Sequence, residues 1–204
     1  VIVAKICGIT RPEDARLAAE LGASAIGMVF WNGSPRAVDV TQACEIVSAI
    51  PPFVTAVGVF VDQPVGAVQD LAAETGLDVI QLHGHEAPAD YAGTGRRLIK
   101  SVAIQNGSTE SDVAAACTGA TALLDAHDPV KRGGTGRSID WTIAAAIARR
   151  RPIILSGGLN ADNVLTAIRT VAPYAVDASS GVESSPGRKD PAKLRQFFDA
   201  LRTV

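Results

Sequence analysis

The chain is predicted to fold as a single (β/α)8 barrel spanning residues 1–204, an α/β architecture built on one parallel sheet. Three observations predict it. Short apolar runs alternate with helical-period segments eight times along the chain. The runs are nearly continuous in apolar residues rather than alternating apolar and polar, so both of their faces must be covered, which calls for parallel strands beneath an outer layer of helices. Glycine stands between helix and strand in Gly22-Ala23-Ser24-Ala25-Ile26, Gly76-Leu77-Asp78-Val79-Ile80 and Gly119-Ala120-Thr121-Ala122-Leu123, where a helix ends most readily in a left-handed residue. Eight units in 204 residues lie near the lower end of the usual barrel size of roughly 200 to 400 residues. A doubly wound open sheet is the next architecture in line.

In chain order, the first unit is a β-branched strand at 1–7 and an Ala/Leu-periodic helix at 11–21, with Thr10 as N-cap and Pro12 in the first turn. The second is 25–30 with 41–50, joined by the loop 31–40. Strand 54–61 with helix 65–75, strand 78–83 with a weak helix near 88–91, and strand 97–102 with helix 110–117 follow. The last three units are 121–125 with 139–150, 152–156 with 161–171, and 174–178 with 191–201. No linker, repeat or low-complexity segment interrupts the pattern.

Composition bounds the function classes. With 47% hydrophobic residues the chain can bury a large core, and a net charge of −2 with both signs interspersed offers no basic face for nucleic acid or a membrane surface. Cys7, Cys44 and Cys117 are odd in number and widely spaced, which fits free thiols in a reducing cytoplasm better than a disulfide framework. No apolar run approaches the roughly 18 residues of a membrane span, and no signal-peptide layout is present, so export is not expected. The absence of an initiating methionine reads as trimming.

In a barrel the active site is built at the C-terminal ends of the strands. Cys7, Phe30, Asp62, His83, Asp125, Ser156 and Ser179 fall at or just past those ends. Alternation along the first strand turns Val3, Lys5 and Cys7 to the barrel interior. On the eighth strand Asp177 shares a face with Ser179 and stands where it can compensate Lys5, the reading preferred for that pair because an interior charge needs a partner first. Cys44 and Cys117, in helical segments, read as small hydrophobes. Cys7 differs: a nearby ammonium and loop amides can lower its thiol toward neutrality, making it a candidate nucleophile or general base. Asp125 ends an apolar run just before the glycine-rich loop 128–136, the layout of an acid at a pocket mouth under a movable cover.

Ser156-Gly157-Gly158-Leu159-Asn160 and Ser179-Ser180-Gly181-Val182-Glu183 follow the seventh and eighth strands, where backbone N–H groups can cradle a phosphate without net positive charge. Arg36, on the loop after the second strand, suits a planar carboxylate or phosphate. Each of these has a plainer alternative: a turn-capping aspartate, a packed thiol, two tight turns, a solvated arginine. His83, His85 and Glu86 invite a metal reading, which is set aside because the two histidines need not converge and no further ligand cluster is near.

Taken together, Lys5-Ile6-Cys7-Gly8-Ile9-Thr10, Phe30 with Ser34 and Arg36, Gly58-Val59-Phe60, Gln81-Leu82-His83-Gly84, Leu124-Asp125 with Gly133-Gly134-Thr135-Gly136 and Asp140-Trp141, Leu155 to Asn160, and Val176 to Glu183 resemble the phosphoribosylanthranilate isomerase family. The stretches run in order over nearly the whole chain. The resemblance implies an Amadori rearrangement in tryptophan biosynthesis, with Asp125 as general acid and Cys7 as general base. It places the anthranilate carboxylate on Arg36, further substrate contacts on His83, Gly134 and Asp177, and the phosphate on Gly157, Gly158, Ser180 and Gly181. The substrate's nitrogen would serve as electron sink, so no cofactor and no metal is implied. The partner implied is a small phosphosugar carrying an anthranilate group, and the choice between monomer and dimer is left open. For Asp125 to act as an acid its carboxyl must be raised, by burial or on closure of the loop. The nearest competitor, an isomerase of the related histidine-pathway aminoaldose, resembles this chain in reaction but carries an aspartate where Cys7 stands. A silent phosphosugar-binding scaffold would need neither Cys7 nor Asp125.

Overall fold

The computed structural model of the chain describes residues 2–126 and 140–203. Eight parallel strands close in sequence order into a barrel: β1 (Val3–Cys7), β2 (Ala25–Val29), β3 (Thr55–Phe60), β4 (Val79–Leu82), β5 (Arg97–Ile104), β6 (Thr121–Ala126), β7 (Ile153–Leu155) and β8 (Ala175–Ala178). Helices α1 (Pro12–Leu21), α2 (Val40–Ala49), α3 (Val65–Thr75), α4 (Glu110–Ala116), α5 (Trp141–Ala148), α6 (Val164–Val171) and α7 (Pro191–Leu201) alternate with them. A short antiparallel hairpin, β9 (Glu183–Ser185) and β10 (Arg188–Lys189), is inserted between β8 and α7.

The apolar runs are continuous because each strand buries two faces. Its outward residues join the large cluster beneath the helices, as Ile6, Ile26, Ile80 and Val176 do. Its inward residues form a separate layer in which Val57, Val79, Ile99, Leu123, Ile154 and Ala175 meet Val3 and Ala25. Two residues further along, six of the eight strands turn polar inside the barrel, with Lys5, Gln81, Ser101, Asp125, Ser156 and Asp177 replacing aliphatic side chains, while Gly27 on β2 and Val59 on β3 stay apolar. That change, at one strand period, marks the floor of the site.

Two local expectations are corrected and one is refined. Thr10 does not cap α1: Arg11 is the N-cap, with no side-chain cap bond, and Thr10 Oγ1 instead donates to Gly187 O at 2.5 Å. The unit after β4 is a 3-10 helix at Pro88–Thr94, consistent with glycine and proline weakening an α-helical turn there. The helix expected from residue 161 starts at Val164, because Asn160 Oδ1 first accepts the N–H groups of Asp162 and Asn163 and holds those residues in a turn. Among the described residues no helix is long and apolar enough to cross a membrane.

Candidate active site

One pocket at the C-terminal mouth is lined by Cys7, Arg36, His83, Asp125 and Asp177, so five of the expected site residues converge. Ser156 and Ser179, which open the two glycine loops, line it too. Those loops touch, since a side chain at Gly181 would collide with the carbonyl of Leu159, but Gly157, Gly158, Ser180 and Gly181 themselves do not line this pocket. Phe30 and Asp62 do not line the pocket. Each lies one residue out of phase, so Val29 and Val61 face inward while Phe30 stacks on Phe60 at 5.2 Å in the outer core. Gly134, and with it the loop 128–136, lies outside the described residues.

On the β1–β8 side the site is ionic. Lys5 and Asp177 are paired in the barrel register, and Lys5 Nζ donates to Asp177 Oδ1 at 2.8 Å with both side chains buried. The other Asp177 oxygen accepts from Ser156 Oγ at 3.3 Å. Gly27, opposite Cys7 on β2, leaves room for this group: a Cβ there would lie 2.9 Å from Cys7 Sγ and 3.0 Å from Lys5 Nζ. Burial opposes the Lys5 charge, but Asp177 and the Cys7 sulfur outweigh it and hold the ammonium above its ordinary range. The expectation that this ammonium would bring the Cys7 thiol down is corrected. Burial is the larger influence and pushes the thiol up, Lys5 pulls against it, and Asp177 adds to the rise.

On the β4–β6 side the site is held by neutral hydrogen bonds. Gln81 Nε2 donates to Ser101 Oγ at 3.2 Å, and Ser101 Oγ lies 2.7 Å from His83 Nδ1. Donors and acceptors match when Ser101 donates to Nδ1 and the imidazole proton sits on Nε2, 3.8 Å from Asp125 Oδ2. Burial holds His83 below its ordinary value despite the pull of Asp125, so the ring is neutral near pH 7. His85 goes elsewhere: it is exposed and meets Asp62 at 3.3 Å, so the two histidines do not converge.

Two charged residues without an assigned role in the sequence, Glu183 and Lys189, stand behind Arg36. Arg36 forms a two-pronged pair with Glu183, and Lys189 reaches the same carboxylate from below. Ser101 was findable by alternation, since it shares the inward face of β5 with Ile99. Lys189 carries no local signal, because its position depends on how the β9–β10 hairpin folds back. Of the helical cysteines, Cys117 is buried as expected whereas Cys44 is half-buried on α2.

The chain was compared with known proteins. A family model described as N-(5'-phosphoribosyl)anthranilate (PRA) isomerase matches residues 4–200. The N-(5'-phosphoribosyl)anthranilate isomerase of Pelobacter propionicus is 48% identical over 198 residues, covering 97% of this chain and 94% of that one. The enzyme of the same name from Azotobacter vinelandii is 49% identical over 204 residues, covering 98% and 97%. Among solved structures, phosphoribosyl anthranilate isomerase from Thermus thermophilus superposes with a TM-score of 0.90 at 39% identity, covering 99% of each chain. A phosphoribosyl anthranilate isomerase in complex with reduced 1-(o-carboxyphenylamino)-1-deoxyribulose 5-phosphate superposes with a TM-score of 0.86 at 36% identity, covering 100% of both.

Proposed function

The chain belongs to the N-(5'-phosphoribosyl)anthranilate isomerase family, and from that premise we propose how its residues divide the work of the rearrangement. The reaction converts N-(5-phosphoribosyl)anthranilate to 1-(2-carboxyphenylamino)-1-deoxyribulose 5-phosphate, a step of tryptophan biosynthesis. The observation that carries the assignment is the placement of Cys7 and Asp125 on different strands around one pocket that Arg36 also lines.

Asp125 protonates the furanose ring oxygen, and the C1′–O bond breaks as the anilino nitrogen lone pair forms a protonated Schiff base. Cys7, as thiolate, then removes the C2′ proton, and the C–H electron pair flows to the nitrogen to give an enamine that tautomerises to the ketone. The nitrogen of the substrate takes up the electrons, so no cofactor enters the scheme. Arg36 holds the anthranilate carboxylate, with His83, Gly134 and Asp177 as further contacts, and the backbone of Gly157, Gly158, Ser180 and Gly181 holds the phosphate. Because burial raises the Cys7 thiol, the thiolate fraction is small at neutral pH, and kcat/KM rises as pH increases toward the thiol's titration. The reading also places the protein in the cytoplasm, as its free thiols suggest.

The test is the loss of phosphoribosylanthranilate fluorescence, with substrate generated in place and chelator present, alongside the histidine-pathway aminoaldose. Turnover of the first substrate alone is expected. Turnover of neither by folded protein would overturn the assignment, and turnover of both would replace it with a dual-specificity enzyme.

A further inference from the structure

The Arg36 guanidinium presents two edges. Its inner edge is occupied: Nε donates to Glu183 Oε1 at 2.9 Å and Nη2 donates to Glu183 Oε2 at 2.7 Å. Its outer edge, formed by Nη1 and the second Nη2 proton, meets no acceptor among the described residues and is left for a ligand carboxylate in the pocket that Arg36 lines. Glu183 is itself shared. Lys189, its cross-strand neighbour on the hairpin, donates to Glu183 Oε1 at 2.8 Å, to Cys7 O at 2.6 Å and to Ser179 O at 3.2 Å. These are three acceptors for the three protons of an ammonium. Lys189 is fully buried, and the Glu183 side chain is 4% exposed.

The charges count two cations, Arg36 and Lys189, against one carboxylate, Glu183. A simple Arg–Glu pair would be neutral and a poor anion receptor. Here Lys189 leaves one positive charge over, and it emerges where Arg36 reaches the pocket. The arginine stem is also confined: it crosses Gly8, where a Cβ would lie 2.5 Å from Arg36 Cδ and where φ is +71°. The hairpin that carries Glu183 and Lys189 is pinned to the segment after Cys7, through Thr10 to Gly187 O and through the Lys189 N–H to Asp14 Oδ2 at 3.1 Å.

We propose that Glu183 and Lys189 are positioning residues that set specificity for the substrate's aryl carboxylate: Glu183 orients Arg36 edge-on, and Lys189 restores the charge that Glu183 would cancel. The inference rests on the reading that Arg36 meets that carboxylate. It predicts that the hairpin governs discrimination between substrates with and without the carboxylate rather than the chemical step.

The experiment compares N-(5-phosphoribosyl)anthranilate with N-(5-phosphoribosyl)aniline, which lacks the carboxylate, in steady-state assays followed by chromatography. Glu183→Gln is expected to raise KM for the anthranilate substrate about tenfold or more, the scale of one charge-assisted contact, with kcat within about threefold and kcat/KM for the aniline substrate nearly unchanged. Glu183→Gln/Lys189→Met, which removes one charge of each sign, guards against failure of the single variant to fold and is expected to show the same loss of preference. Equal losses on both substrates would make the residues merely structural and overturn the proposal. Arg36→Met separates the two readings. If it abolishes the carboxylate preference while Glu183→Gln keeps it, the hairpin proposal fails alone. If Arg36→Met also keeps the preference, the assignment of Arg36 fails, and the hairpin proposal falls with it.

Discussion

The two sides of the pocket solve the same problem with different physics. Around Cys7, on the β1–β8 side, full charges predominate, Lys5 with Asp177 and Arg36 with Glu183 and Lys189, and the neutral Ser156 serves one of them by donating to Asp177. Around Asp125, on the β4–β6 side, the neighbours described are uncharged: a neutral His83, Ser101 and Gln81 in hydrogen-bond sequence. A buried ion pair resists rearrangement because separating it exposes an uncompensated charge to a low-dielectric interior. A neutral hydrogen-bond chain can redistribute protons at small cost. In the proposed assignment the ionic side is the rigid wall beside Cys7 and the substrate, and the neutral side suits Asp125 as a residue that gives up and recovers a proton.

The largest effects are expected where the comparison concerns chemistry itself. Asp125→Asn and Cys7→Ser should each lower kcat by about 10²–10⁴-fold, the range for loss of a general acid or base, with KM little changed. Steady-state kinetics over pH checks this, and Cys7→Ser should also remove the rise of kcat/KM with pH. Near-normal turnover in either variant would make that residue a packing element.

Next comes the ionic wall. Lys5→Met leaves Asp177 buried and unpaired, at a cost of about 3–5 kcal/mol in unfolding free energy, measurable by urea titration. A loss below about 1 kcal/mol would place the pair in the class of weak surface contacts and dissolve the contrast. On the neutral side, Ser101→Ala should cost less stability, about 1–3 kcal/mol for an unsatisfied buried group, yet lower kcat because His83 loses the partner that sets its tautomer. Restoration of kcat by Ser101→Thr would sharpen the assignment, and an unchanged kcat in Ser101→Ala would break it.

The smallest effect is a pH dependence of stability. Burial holds the folded pKa of His83 below its unfolded value, near 6.5. The stability tied to the neutral ring is therefore fully present above that unfolded pKa. As pH falls below it, the unfolded chain binds a proton that the folded chain does not, and stability is lost. The urea midpoint should fall between about pH 7.5 and 5.5, and by less in His83→Gln; equal slopes in the two proteins would count against a neutral buried imidazole.

Most of the barrel was legible because its signals are local. Helices α3 and α7 were bounded correctly by glycine, proline and periodicity, and the strands were located by continuous apolar runs covered on both faces, with ends displaced by a residue or two. The inward phase of Val3, Lys5 and Cys7 followed from alternation and a single outward apolar face. Where alternation was replaced by counting from strand ends, as for Phe30 and Asp62, the phase slipped by one residue. Capping was misread at Thr10 and at residue 161 because competing acceptors and an asparagine turn are indifferent to helical period.

The sequence by itself determined the architecture, the strand ends at which polar residues gather, and the pairing of Lys5 with Asp177 that closure of the first and eighth strands requires. Only the tertiary structure decided the electrostatics. The direction in which the Cys7 thiol moves is a contest between burial and charge that involves residues up to 182 positions away, such as Lys189 on the Cys7 carbonyl. The same holds for the pairing of Arg36 with Glu183, which lies 147 residues along the chain. Backbone periodicity is set by near neighbours, so it can be read along the chain; desolvation and Coulomb energies depend on distance through space, which exists only once the barrel has closed.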